Sequence, residues 1–94
     1  MAVEKGLGMN RRRRSEVQIL MDILSLCLKD VKVTQIMYRA NLSYSTMRKY
    51  LDAALKRGLI IKVKNDDGGI SYHITEKGKI LLETLKEVRH ALSR

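Results

Sequence analysis

From Ser15 onward the apolar positions follow two periods, and each period predicts its own kind of element. Val17, Leu20, Ile23, Leu24, Cys27 and Leu28 recur at three and four, the spacing of one helical face. Ile19 and Leu26 widen that face, so residues 16 to 29 read as a helix buried on more than one side. Ser15 with Gln18 three residues on makes a capping box, in which each side chain satisfies the other's free amide. The helical period breaks at Lys29-Asp30, and a short strand is expected over residues 31 to 33. Thr34 can then cap a short helix over 35 to 40, with Ile36, Met37 and Ala40 for the core and Gln35 and Arg39 outside.

Asn41-Leu42 makes a turn: Asn tolerates a left-handed backbone, and Leu42 can plug the space between helices. Residues 43 to 57 form the best-marked helix in the chain. Ser43 caps its start, Gly58 follows its end, and Lys56 and Arg57 complement the negative end of its dipole. Met47, Leu51, Ala54 and Leu55 make its apolar stripe, and Tyr44, Ser45, Thr46, Arg48, Lys49 and Asp52 make a hydrogen-bonding face. Two helices joined by so short a turn form a helix-turn-helix.

After Gly58 the period drops to two. Leu59 to Lys64 and Ile70 to Ile74 flank the turn cluster Asn65-Asp66-Asp67-Gly68-Gly69, which reads as a β-hairpin with Ile70, Tyr72 and Ile74 facing the core. Thr75 caps a last helix over 76 to 92. Gly78 costs that helix up to about 1 kcal/mol against Ala, so close packing against a neighbour is its expected reason. Leu81, Leu85, Val88 and Leu92 follow at four, three and four, the spacing of a coiled-coil seam, and Ile80, Leu82 and Ala91 add a second strip. One strip can pack on the domain; a second copy of the chain is the simplest partner for the other. The competing reading is a helix wholly consumed by its own core.

Ninety-four residues bound this to one modest core without a deep substrate cleft. With no Trp or Phe, aliphatic residues, Met and four Tyr must fill that core. The net charge of +9 is unevenly spread. Residues 1 to 14 carry five basic and one acidic side chain (+4), and residues 15 to 28 carry two acidic ones (−2). Residues 29 to 64 carry nine basic and two acidic (+7), and residues 65 to 94 carry five of each. A localised basic excess is the footprint of a polyanion binder; a merely soluble basic protein is the alternative.

Residues 1 to 10 have no usable period and are expected to be a mobile tail, with Met9 a possible natural start. Arg11, Arg12, Arg13 and Arg14 repel one another and should stay extended and solvated. They are either a solubilising tail or an arm that follows phosphates or enters a minor groove. The single cysteine, Cys27, allows no internal disulfide and sits in an apolar run that suits a buried thiol. No membrane span or signal peptide is evident, so a cytoplasmic, nucleoid-associated protein is expected. His73 and His90 are far apart, and paired carboxylates, a phosphate loop and metal-ligand spacing are all missing. An enzyme, a metal site, a cofactor and a small-molecule ligand are therefore not expected.

The residues that carry a family resemblance run from Val33 to Leu82. They include Tyr50-Leu51-Asp52-Ala53-Ala54-Leu55-Lys56-Arg57-Gly58-Leu59-Ile60 and Tyr72-His73-Ile74-Thr75-Glu76-Lys77-Gly78, with Met37-Tyr38-Arg39-Ala40-Asn41-Leu42-Ser43-Tyr44 before them. This pattern resembles winged-helix transcription regulators. It is particularly similar to archaeal winged-helix DNA-binding proteins that dimerise through a carboxy-terminal helix, some of them abundant chromatin proteins. The resemblance implies an α+β, mostly α fold: three helices, a wing hairpin of two or three strands, and a last helix forming an antiparallel coiled-coil dimer. It divides the chain into a basic arm (1 to 14), a winged-helix domain (15 to 75) and a dimerisation helix (76 to 94). It also accounts for Gly78 as a standing family feature.

The function implied is sequence-specific, homodimeric binding of double-stranded DNA by a transcriptional regulator. Architectural chromatin coating and a protein-interaction winged helix are the alternatives. The 43 to 57 helix would enter the major groove, with Tyr44, Ser45, Arg48 and Lys49 at bases or phosphates, Arg48 suited to guanine, Ser45 and Thr46 at phosphates rather than bases, and Ser43 also among the DNA-binding residues. Gln35, Arg39, Lys62, Lys64 and Arg11 to Arg14 would give the sequence-blind, salt-sensitive part. Tyr38 and Tyr50 could equally be core, Tyr50 more so. Leu81, Leu85, Val88 and Leu92 would form the dimer interface. Asp66 and Asp67 at the wing tip depart from the family, because phosphates repel them; the arm would take over part of the wing's work.

Overall fold

The computed structural model describes residues 14–93. Element order is α1 (Glu16–Leu26), β1 (Val31–Lys32), α2 (Val33–Ala40), α3 (Tyr44–Lys56), β2 (Ile60–Lys64), β3 (Ile70–Ile74) and α4 (Glu76–Leu92). The sheet is antiparallel in the order β1-β3-β2, with Val31 opposite Tyr72 and Ile60 opposite Ile74. Helix-turn-helix, hairpin wing and β1 as third strand together make a winged helix.

One core joins all of these elements. Ile23, Leu24 and Cys27 of the first helical segment meet Ile36, Met47, Leu51, Ile60 and Leu82, all buried. Burying a side chain such as Leu51 stabilises the fold by about 1.5–3 kcal/mol, so the α3 stripe fixes that helix firmly on its inner side. Leu42 and Tyr50 are half-buried against this core, as the turn-plug and core readings of the sequence anticipate.

Helix α3 has the ends its sequence predicts. The Ser43 hydroxyl accepts from the Thr46 amide at 3.2 Å, and Gly58 takes a left-handed φ of +73°. Asn41 also turns left-handed (φ 55°), closing α2. Thr75 caps α4 by accepting from the Gly78 amide at 3.0 Å, while its own hydroxyl donates to the Gly58 carbonyl at 2.6 Å. One threonine thus ties the end of the α3 turn to the start of α4.

Five expectations change. Helix α1 stops at Leu26, with Cys27 as its cap, so Leu28 lies outside it and is 44% exposed. Helix α2 begins at Val33, because Gln35 accepts from the Lys32 amide at 3.0 Å and starts the helix before Thr34. The strand before it is accordingly only Val31–Lys32. Ser15 accepts from the Gln18 amide at 3.1 Å, but the Gln18 side chain turns away from the box to Asp22 and Arg89. Ile70 is 46% exposed although it shares parity with buried Tyr72 and Ile74. It pairs with Lys64, the last pair before the turn, where the hairpin extends past the covered part of the sheet.

Candidate nucleic-acid interface

The basic excess of residues 29 to 64 falls on the segment that contains α2, α3 and β2. The amino end of α3 is the positive end of its dipole, and the Ser43, Ser45 and Thr46 hydroxyls cluster there. Ser43 Oγ donates to Thr46 Oγ1 at 3.0 Å and lies 3.5 Å from Ser45 Oγ. Hydroxyls around a helix amino end suit a phosphate oxygen.

Ser45, Arg48, Lys49 and Asp52 stand at helical spacing along the outer side of α3, with Tyr44 one turn before Arg48. Tyr44 is 56% exposed, Ser45 and Lys49 are exposed, and Thr46 is half-buried. The Lys49 ammonium lies 5.6 Å from the centre of the Tyr50 ring. Arg48 is half-buried and already partnered: Nε and Nη2 both donate to Asp52 Oδ1, at 3.1 and 2.9 Å. The Asp52 carboxylate, then the Tyr72 and Tyr44 hydroxyls, hold its guanidinium even more firmly protonated than usual. The sequence offers Arg48 as a free donor; its partner one turn on is legible as an i,i+4 pair, though not its approach to the wing strand.

The remaining predicted contacts are distributed around that helix. Gln35 is exposed, with its carbonyl occupied by the Lys32 amide, and Arg39 is exposed in the last turn of α2. Lys62 and Lys64 are exposed on β2, an outer strand of the sheet. Arg14 is committed to the domain: Nη1 donates to Asp22 at 2.8 Å and Nη2 to the Asn41 carbonyl at 3.1 Å. Arg11, Arg12 and Arg13 lie outside the described residues, as do the proposed mobile tail and Met9.

The wing tip resolves part of its acidity internally. Asp67 accepts from the Gly69 amide at 2.8 Å and from the Lys32 ammonium at 3.3 Å. These two partners, the amide first, hold its carboxyl below the usual range. Sequence reasoning missed Lys32 as the partner of the tip, because 35 residues separate the two. Asp66 remains exposed.

The seam residues of α4 divide. Leu81 and Leu85 are half-buried against the domain's own core, whereas Val88 is 49% and Leu92 81% exposed. Val88 and Leu92, with Leu85, Val17 and Met21, line an apolar groove of about 450 Å³ between α1 and α4. In the second strip Leu82 is buried and Ile80 is 63% exposed. Among the described residues no cluster of His, Cys, Asp or Glu is arranged to hold a metal ion, and no helix is long and apolar enough to cross a membrane.

The architecture is shared with known proteins. Sso10a-2, a DNA-binding protein from Sulfolobus solfataricus, is 34% identical and superposes with a TM-score of 0.74 over 85% of this chain and 86% of its own. The transcriptional regulator BldR from the same organism superposes at 0.75 over 81% of this chain and 57% of its own; at 19% identity that likeness speaks for the fold. An uncharacterised protein of Methanocaldococcus jannaschii is 39% identical over 77 residues, and the chain spans only 34% of its length. A second one from that organism is 35% identical over 81 residues and is matched over 78% of its length. The winged helix-turn-helix family model matches residues 13–93. With its helix-turn-helix, its hairpin wing and that match, the chain belongs to the winged helix-turn-helix family, and its fold is that of DNA-binding transcription regulators.

Proposed function

We propose that this chain is a sequence-specific DNA-binding transcriptional regulator that acts as a homodimer and places α3 in the major groove. The observation that carries the reading is α3 itself. Its inner stripe is locked in the core, and its outer side offers Tyr44, Ser45, Arg48 and Lys49 from the segment that holds a net +7. Arg39, Lys62 and Lys64 flank it and supply phosphate contacts. The DNA-binding description of Sso10a-2, with its near-complete overlap, supports the same partner.

The apolar groove at Val88 and Leu92 supports pairing of two copies. Two copies place two α3 helices on two half-sites, so the preferred DNA is symmetric. Binding-site selection on random DNA, with the mass of the complex measured alongside, tests both points. A symmetric site bound by two chains is expected; a monomer on a non-palindromic site overturns the dimer.

The net charge of +9 favours a second reading, low-specificity coating of chromatin. A ratio near one between the selected site and random DNA at fixed physiological salt would establish that reading instead. Affinity almost indifferent to salt would point to a protein-docking winged helix.

A further inference from the structure

We propose that Asp52 is a specificity-determining residue of α3: it holds the Arg48 guanidinium in a neutral pair that disfavours phosphate and accepts a base edge. The inference rests on the sequence-specific reading of α3. By charge alone Asp52 is out of place. It is the one acidic side chain in α3, and it stands on the outer side of that helix with Ser45, Arg48 and Lys49. Residues 29 to 64 hold one other acid, Asp30, whose carboxylate lies 2.7 Å from His73 Nδ1 of β3. A helix face that only followed phosphates would be weakened by a carboxylate, because the two anions repel. Helix stability does not account for Asp52 either. Its order with Arg48, cation before anion, is the weaker one for an i,i+4 pair, because it runs against the helix dipole.

The contacts show what the carboxylate does instead. Arg48 Nε and Nη2 both donate to Asp52 Oδ1, at 3.1 and 2.9 Å, so the fork is held along one edge. Arg48 is half-buried, and the hydroxyl of Tyr72, a core residue of β3, approaches the guanidinium, as does that of Tyr44 in the first turn of α3. The fork is therefore placed before DNA arrives, which lessens what binding must still immobilise. Arg48 and Asp52 together carry no net charge. A phosphate drawn to Arg48 must bring its own negative charge up beside Asp52, so that two anions share one cation. A guanine edge offers its N7 and O6 acceptors without a net charge and meets no such repulsion. Asp52 thereby turns Arg48 from a general phosphate ligand into a reader of base edges, and it lowers affinity for DNA at large in doing so.

The test compares the selected site with a random duplex at fixed salt. Asp52 is exposed and Asn has the same shape, so Asp52→Asn should melt near the wild type. Affinity for the random duplex should rise and affinity for the selected site should rise less. The ratio between them should drop roughly fivefold, the upper end for an exposed ion pair. The salt slope on the random duplex should steepen by about 0.9, the mark of one new phosphate contact. Asp52→Glu keeps a carboxylate within reach of the fork and should retain most of the wild-type ratio. In an Arg48→Ala background Asp52→Asn should leave the ratio unchanged, which separates an effect through Arg48 from simple charge removal. Asp52→Ala carries the same comparison if Asp52→Asn fails to fold. Equal tightening on both duplexes, or a drop in ratio that persists without Arg48, overturns the inference and leaves sequence-specific binding in place. A wild type whose own ratio is near one overturns the specific reading and the inference together.

Discussion

A β-carbon at Gly78 would overlap the carbonyl oxygen of Leu59 and press on the Ile74 side chain. The first turn of α4 therefore packs directly on the backbone that leads from α3 into the wing. That contact is what Gly78 makes possible at the cost of helix propensity. Gly78→Ala should gain up to about 1 kcal/mol in propensity yet lose more by overpacking, about 1–3 kcal/mol, for a net destabilisation. Urea unfolding of the two proteins checks the sign. A stabilised variant would mean that α4 can slide off Leu59 without loss.

Burial pushes the Cys27 thiol up to about 12, so almost no thiolate exists at neutral or mildly alkaline pH. A thiol-directed disulfide reagent at pH 8 should label the native protein only at the rate of its unfolding and should label it quickly in denaturant. The same shift predicts a stability trend. Between the ordinary value of 9.0 and about 12 the unfolded chain has lost this proton while the folded one keeps it, so stability falls as pH rises through that window. Cys27→Ser removes this contribution, so stability should fall less steeply than in the wild type, and parallel thermal melts across that range would detect the difference.

Local rules carried most of this fold into the sequence. Ser43 with Gly58 and Thr75 with Gly78 mark their helices because caps depend on neighbours within four residues. The drop from a helical to a two-residue period gave the wing hairpin for the same reason. Where the sequence misled, a distant partner decided. Gln18 could satisfy its own cap, but Asp22 and Arg89 hold it elsewhere. Ile70 alternates correctly, yet burial depends on what covers that end of the sheet. At the interface, α3's polar face was legible from spacing alone. The Lys32–Asp67 and Arg14–Asn41 contacts, across 35 and 27 residues, were not.

Arg48 and Asp52 form an i,i+4 pair on the outer side of α3. The carboxylate takes Nε and one Nη2 hydrogen and the Tyr72 and Tyr44 hydroxyls also approach the guanidinium, so a base edge must compete with these partners for the fork. Arg48→Ala should reduce discrimination between the selected site and a single-base variant by about 1–3 kcal/mol, the worth of one bidentate base contact. The half-exposed pair itself should matter by less than about 1 kcal/mol to folding. Competition binding alongside a thermal melt separates the two effects. Equal weakening on every sequence would reassign Arg48 to phosphate.

Lys62 and Lys64 test the wing. If both meet phosphates, Lys62→Ala with Lys64→Ala should lower the slope of log affinity against log salt by about 2, near 0.9 per contact on duplex DNA. Affinity for selected and random DNA should fall alike, because phosphate contacts carry no sequence information. Anisotropy titrations over a salt series measure both. An unchanged slope would leave the wing out of the interface.

Val88 and Leu92 decide how the groove between α1 and α4 is used. Both are exposed near the end of α4, beside exposed Val17 and the buried core residue Met21, and neither is covered by the chain's own core. Val88→Glu places a charge where a second copy is proposed to pack, and burying an unpaired carboxylate there is costly. Because Val88 is already 49% exposed, the substitution should hardly alter the stability of the single chain. Sedimentation equilibrium should show the wild type as a dimer and Val88→Glu as a monomer. DNA affinity should drop well beyond the effect of one added negative charge, because linked half-sites gain from effective concentration and separate ones do not. Comparing a full symmetric site with an isolated half-site gives the control: the variant and the wild type should differ strongly on the first and little on the second. A Val88→Glu chain that stays dimeric would move the interface away from this groove.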